Sequence, residues 1–222
     1  DWPEPTVDEA AVRNTVKVDW NTISESTFHI PAAEDQARVI GALEGQVTTE
    51  HRIMRITRDK HLAVADVERD ILKMAVIERH RGTGNISLGF IQGFGLQQGA
   101  LAGSVAHDHH NIVTIGVDDQ SMLTAARAVG EMGGGYVVAN QDRVLAQLPL
   151  PIGGLMSDQP VNTTREAMDT LLNNSAAMGS VVHDPFMLMS FMALEVIPSL
   201  KLTDQGLVDV EQFKPVPLFV EV

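Results

Sequence analysis

A chain of 222 residues with 44% hydrophobic content has enough apolar surface for one large domain or two small ones. Its 29 acidic residues against 16 basic ones leave a formal net charge of -13, which opposes binding to phosphate backbones and excludes nucleic acid as an expected partner. With no cysteine the chain has no disulfides, thiolate ligands or cysteine nucleophiles, so any metal must be held by His, Asp or Glu, and a reducing cytoplasm fits.

No apolar run approaches the roughly 18 uninterrupted residues of a membrane helix, so no membrane partner is expected. The start, Asp1-Trp2-Pro3-Glu4-Pro5, has neither a basic region nor an apolar one and no initiator Met, which suggests a piece trimmed from a longer protein. Residues 1–50 are polar and weakly periodic, punctuated by Pro3, Pro5 and Pro31, and read as a linker with short strands. From His51 the pattern changes. Ile53 and Arg55 alternate with Met54 and Ile56, as in a half-buried strand, and Ile71 to Ile77 follows as an apolar run rich in Ile, Val and Met. Ile86 to Phe94, Ala100 to Ala106 and Ile112 to Val117 are three further short apolar runs. Gaps this short leave no room for crossover helices, so the strands pair mostly antiparallel.

The first helix is predicted over about Asp119 to Met132. Asp118 or Asp119 caps it, Met122, Leu123, Ala126, Val129 and Met132 form its apolar stripe, and Gly133-Gly134-Gly135 ends it. Tyr136 to Ala139 and Val144 to Leu148 read as two strands around a turn. A second helix, about Thr164 to Met178, starts with a capping box drawn from Thr163-Thr164-Arg165-Glu166 and stops at Gly179. Pro185 opens a short buried helix from Phe186 to Leu194, apolar nearly all round. The expected fold is therefore α+β, a mostly antiparallel or mixed sheet with a few helices packed on one face.

Four local features could carry chemistry. The densest is Ser104-Val105-Ala106-His107-Asp108-His109-His110-Asn111. In extended backbone His107 and His109 would share one face, with Asp108 and His110 on the other, and imidazole and carboxylate at such spacing suit Zn, Mn or Fe. The ordinary alternative is a turn whose side chains cap backbone groups. Glu78-Arg79-His80-Arg81 could present Glu78 with His80 as ligand, orienter or general base, or could be a charged strand end with exposed ion pairs. Gly82-Thr83-Gly84 and Gly89 to Gly95 lack the lysine and following helix of a phosphate loop, and point instead to bulges, bends or close approach of another backbone. Pro185 to Met192 is rich in methionine, which suits core or interdomain packing better than an apolar ligand site.

Several motifs in order resemble the C-terminal region of bacterial adenine deaminases. They are Asp70 to His80, Thr83-Gly84-Asn85-Ile86 with Gly89-Phe90 and Gly93-Phe94-Gly95, and Ser104 to Asp108 with His110-Asn111. Glu131 to Gly135, Leu148 to Ile152, Gly154 to Asp158, Lys201 to Asp204 and Gly206 to Asp209 follow. The resemblance covers about Arg38 to the C-terminus. It implies residues 51–222 as an adenine deaminase C-terminal α+β domain within a metal-dependent amidohydrolase that converts adenine and water to hypoxanthine and ammonia.

The family's dinuclear site, holding Mn, Fe or Zn, is built on a (β/α)₈ barrel. A barrel needs roughly 250 residues of alternating strand and helix, and this chain has neither the length nor the alternation. The N-terminal amidohydrolase barrel is thus the implied partner, with a homo-oligomer and an inactive isolated fragment expected. By position the resemblance carries over His107, Asp108 and His110 as metal candidates, and Glu78, His80 and Asp108 as groups near the active site. At His109 the family usually has a small residue, commonly Ser, so no family role reaches it. The competing expectation is a purely structural or oligomerisation module.

Overall fold

The computed structural model describes residues 8–221. The first seven residues of the expected linker lie outside them. Helix α1 spans Glu9–Val12, followed by strands β1 (Ile30–Pro31), β2 (Gln36–Ala42), β3 (Thr49–Arg55), β4 (Thr57–Asp59), β5 (Leu62–Val64), β6 (Leu72–Ile77), β7 (Ile86–Gln92), β8 (Ala100–Gly103) and β9 (Ile112–Gly116). Helix α2 (Asp119–Glu131) leads to β10 (Gly135–Asn140) and β11 (Arg143–Pro149), then to α3 (Val161–Ala177) and α4 (Pro185–Ser190). Strands β12 (Leu200–Thr203), β13 (Gly206–Asp209), β14 (Lys214–Val216) and β15 (Phe219–Val220) complete the fold.

A nine-stranded sheet in the order β11-β10-β8-β9-β6-β7-β2-β15, with β3 also on β2, is the frame of the molecule. Its pairs are antiparallel apart from β2 with β7, which run parallel. Three-stranded sheets β1-β5-β4 and β12-β13-β14 flank it, and no sheet closes into a barrel among the described residues. The α+β class expected from the strand order is thus the class observed.

Strand β6 shows why the sheet is buried on both sides. All six of its residues are buried, and the period-two register divides them: Met74 and Val76 join the core under α3 and α4, while Ala75 and Ile77 join the core under α2. The helices therefore cover both faces rather than gathering on one. Asp118 caps α2 by accepting from Ser121 N, and the stripe Met122, Leu123, Ala126 and Val129 lies against β8 to β10. Full burial of each large member contributes about 1.5–3 kcal/mol.

Pro185 occupies the first turn of α4, as expected, with Asp184 as its cap; the helix ends at Ser190, short of the expected Leu194, and Met189 and Met192 are buried in the core. The expected capping box of α3 does not form. That helix starts earlier, behind Pro160, so Thr163 lies inside its first turn instead of at the N-cap, and the Glu166 N–H is past the first turn. The glycines of Gly89 to Gly95 do admit another backbone, and it is the chain's own: at Gly93 a Cβ would lie 2.4 Å from the Ala42 carbonyl oxygen.

Candidate functional site

Two polar segments meet at one end of the sheet. One leaves β6 as Glu78-Arg79-His80-Arg81, and the other is the connection from β8 to β9, residues 104–111. The backbone of 107–109 forms a turn rather than a strand extension. Its geometry replaces the expected alternation: His107 and His110 come together, their rings edge to face with centroids 6.1 Å apart, and His109 points elsewhere. Extended backbone would have opposed them, whereas a turn brings residues three apart onto one side.

The turn is fixed from below. Ser104 Oγ donates to the Gly154 carbonyl at 2.6 Å and accepts from Gly135 N at 2.8 Å. His107 N donates to the Ser190 carbonyl at 2.9 Å, and the His107 ring stacks on Phe191 with centroids 4.7 Å apart. His109 accepts from Asn111 N at Nδ1 (3.0 Å) and faces the Ala193 carbonyl at Nε2 (2.9 Å), which assigns its proton to Nε2. Burial, only partly opposed by that carbonyl, lowers its pKa, so His109 is a neutral strut with both nitrogens in use. Asn111 Nδ2 donates to Asp204 at 3.2 Å, as Asn85 Nδ2 does to the other oxygen of that carboxylate.

The five candidate side chains divide by what already occupies them. Glu78 is buried and accepts four hydrogen bonds, from the N–H groups of His80, Arg81 and Thr83 and from the Thr83 hydroxyl. Burial pushes its pKa up, but the donors prevail and hold it at about 2. It is an ionised anchor of the loop 78–85 with its lone pairs committed. His80 is exposed and bonds the His109 carbonyl through Nε2 at 2.6 Å.

His107 and Asp108 are different. Among the described residues no hydrogen bond engages the His107 ring or the Asp108 carboxylate, and Asp108 is exposed. His110 sits in the left-handed region with φ 51°, a conformation that costs a residue with a Cβ about 1–2 kcal/mol. Its Nδ1 is buried and pairs with no polar atom among the described residues. Burial first, then the charges of Arg79, His107 and His109, lower its pKa against the pull of Asp108, so it stays neutral near neutral pH.

Among the described residues no group of three or more His, Asp and Glu side chains could hold a metal ion. His107, Asp108 and His110 therefore do not fit a metal on their own. They offer two imidazoles and one free carboxylate on a rigid turn. Such groups can accept or pass a proton and can hydrogen-bond a polar ligand.

Two members of the site were not singled out in the sequence. Asp204 lies far along the chain, and no local signal marks it. Arg79 is 1% exposed, and its position could have been read by extending the register of β6: it falls on the side of Ala75 and Ile77, which is buried.

A family profile described as "Adenine deaminase C-terminal domain" matches residues 46–214. The chain is 51% identical over 192 residues to an adenine deaminase of Desulfatibacillum aliphaticivorans, covering 86% of this chain and 34% of that protein. It is 48% identical over 206 residues to one of Oleidesulfovibrio alaskensis, covering 93% and 36%, and 44% identical over 202 residues to one of Brucella abortus, covering 91% and 34%. The chain thus spans about a third of the length of the curated relatives it matches.

Proposed function

Since the chain belongs to the adenine deaminase C-terminal domain family, we propose that it is the C-terminal domain of a metal-dependent hydrolase converting adenine and water to hypoxanthine and ammonia. The catalytic amidohydrolase barrel, its Mn, Fe or Zn centre and the adenine pocket belong to the remainder of that enzyme, which works in the cytoplasm. Alone, residues 51–222 turn over no adenine.

In this reading the barrel packs against the end of the sheet that carries His107, Asp108 and His110. The observation that supports it is the contrast in occupancy. Around these residues nearly every polar group is bonded within the domain, yet these three side chains are left with open acceptor or donor positions on a turn that is otherwise tied down. Neutral His110 and the ring of His107 beside it would exchange protons with groups brought by the barrel, and Asp108 would orient one of those groups. Glu78 and His80 would shape the rim without meeting substrate.

The test is the double variant His107→Ala, Asp108→Ala in the complete enzyme, assayed for kcat/KM with adenine and for bound metal. Loss of general acid–base help lowers turnover by about 10²–10⁴-fold. Unchanged turnover and metal content would reject the reading. A second reading, a structural and oligomerisation module, is favoured by the exposed apolar side chains Met187 (53% exposed) and Val181 (71%) near α4. It predicts that charged substitutions there change the oligomeric state and that the double variant does not change turnover.

A further inference from the structure

Arg79 carries a buried charge whose hydrogen bonds all go to neutral oxygens. Nε donates to the His110 carbonyl, Nη1 to Thr15 Oγ at 3.0 Å, and Nη2 to the Gly153 carbonyl at 2.9 Å. The neighbouring carboxylate, Glu78, is committed to its own loop. Burial lowers the Arg79 pKa to about 10, against the attraction of Glu78, so the guanidinium stays charged at neutral pH.

Desolvating a guanidinium without an ion-pair partner costs stability, and an apolar side chain would fill the same space without that cost. What an apolar residue cannot do is hold two backbone carbonyls and a threonine hydroxyl, from three segments of the chain, at fixed angles. The planar fork of arginine does so, and lysine, a flexible point donor, cannot reproduce it. The surroundings are built to admit the fork. The guanidinium lies against Gly154, where a Cβ would stand 2.8 Å from both Nη atoms. The Arg79 backbone joins in, with its carbonyl accepting from Lys17 N at 2.7 Å.

The first of the three segments matters most. His110 is in the left-handed region, and its carbonyl is the group Arg79 grips. Fixing that carbonyl fixes the peptide that aims the His110 ring toward His107.

We infer that Arg79 is a positioning residue of the adenine deaminase reaction, whose guanidinium clamps His110, Gly153 and Thr15 and so holds the His110 imidazole beside His107. The inference rests on the reading that this turn serves the reaction. Arg79 touches no substrate and acts through His110.

The test compares Arg79→Gln and Arg79→Lys in the complete enzyme with the wild type, at a temperature well below the unfolding midpoint of each. A misplacement of about 1 Å in a reacting group costs about 10²-fold. The expected result is a fall of that order in kcat for Arg79→Gln with KM within about threefold, and a kcat for Arg79→Lys between the two. Wild-type kcat in folded Arg79→Gln overturns the inference, and so does an equal rise in KM that accounts for the whole loss. If Arg79→Gln does not fold, Thr15→Val removes one acceptor and no charge. It should lower kcat about threefold or more with KM unchanged, and wild-type kcat would again overturn the inference. The double variant His107→Ala, Asp108→Ala separates the two levels. If it leaves turnover intact, the site reading itself fails, whereas if it lowers turnover and Arg79→Gln does not, only the positioning role fails.

Discussion

The loop 78–85 and the turn 104–111 emerge from the same end of the same sheet, and each offers carboxylate and imidazole at close spacing. Their chemistry has gone opposite ways. In the loop, Glu78 accepts from His80, Arg81 and Thr83, so the carboxylate that looks like a ligand is the loop's own anchor. In the turn, one histidine of three, His109, is used in the same structural way, and His107, Asp108 and His110 are left unspent. Residue type and spacing cannot separate a site from a scaffold here. The occupancy of each lone pair can.

The comparison breaks most readily at Glu78. Replacing it with Ala strands three part-buried N–H groups on exposed residues, where a fully buried unsatisfied group would cost about 1–3 kcal/mol and water reduces that cost. We expect a loss of about 3 kcal/mol in denaturant unfolding, and wild-type stability would show that the carboxylate is not the anchor. The same group has a pH signature. Its folded pKa of about 2 lies below the ordinary 4.5, so its contribution is complete above about pH 4.5 and is lost as the pH falls toward 2. The stability difference between wild type and Glu78→Gln should therefore shrink over that window, and a constant difference would contradict the assignment.

His109→Ala removes both ring bonds that tie the turn to Asn111 and Ala193, with an expected loss of about 1–2 kcal/mol. Asp108→Asn, on an exposed side chain, should change stability by less than about 0.5 kcal/mol. A large loss there would mean that the turn is scaffold after all.

The sequence carried most of the frame and little of the site's arrangement. Strand β6 was legible because five apolar residues in six, interrupted only by Lys73, suit a strand in a sheet covered on both faces, and α2 because Asp118 and a helical stripe agree on its start and its buried side. Strands β12 to β14 were not read as strands. Strands β12 and β13 are only four residues each, too short to show a period, and the buried Lys201, bonding the carbonyls of Val47 and Phe191 with its pKa lowered to about 8, leaves only two apolar residues in β12. The pairing of His107 with His110 escaped because it depends on a turn, whereas the metal reading was built on extended backbone and the turn alternative specified no pairing of side chains. The role of Glu78 escaped because its donors are backbone N–H groups, which every sequence supplies and none displays.

The central claim is that the unspent side chains of the turn serve the reaction while the committed ones serve the fold. The most direct measurement is kcat/KM for adenine in the complete enzyme carrying His107→Ala and Asp108→Ala, normalised to folded protein. The account predicts a fall of about 10²-fold or more, with the unfolding midpoint lowered only by the loss of the His107–Phe191 contact. Wild-type kcat/KM in the folded double variant would contradict it.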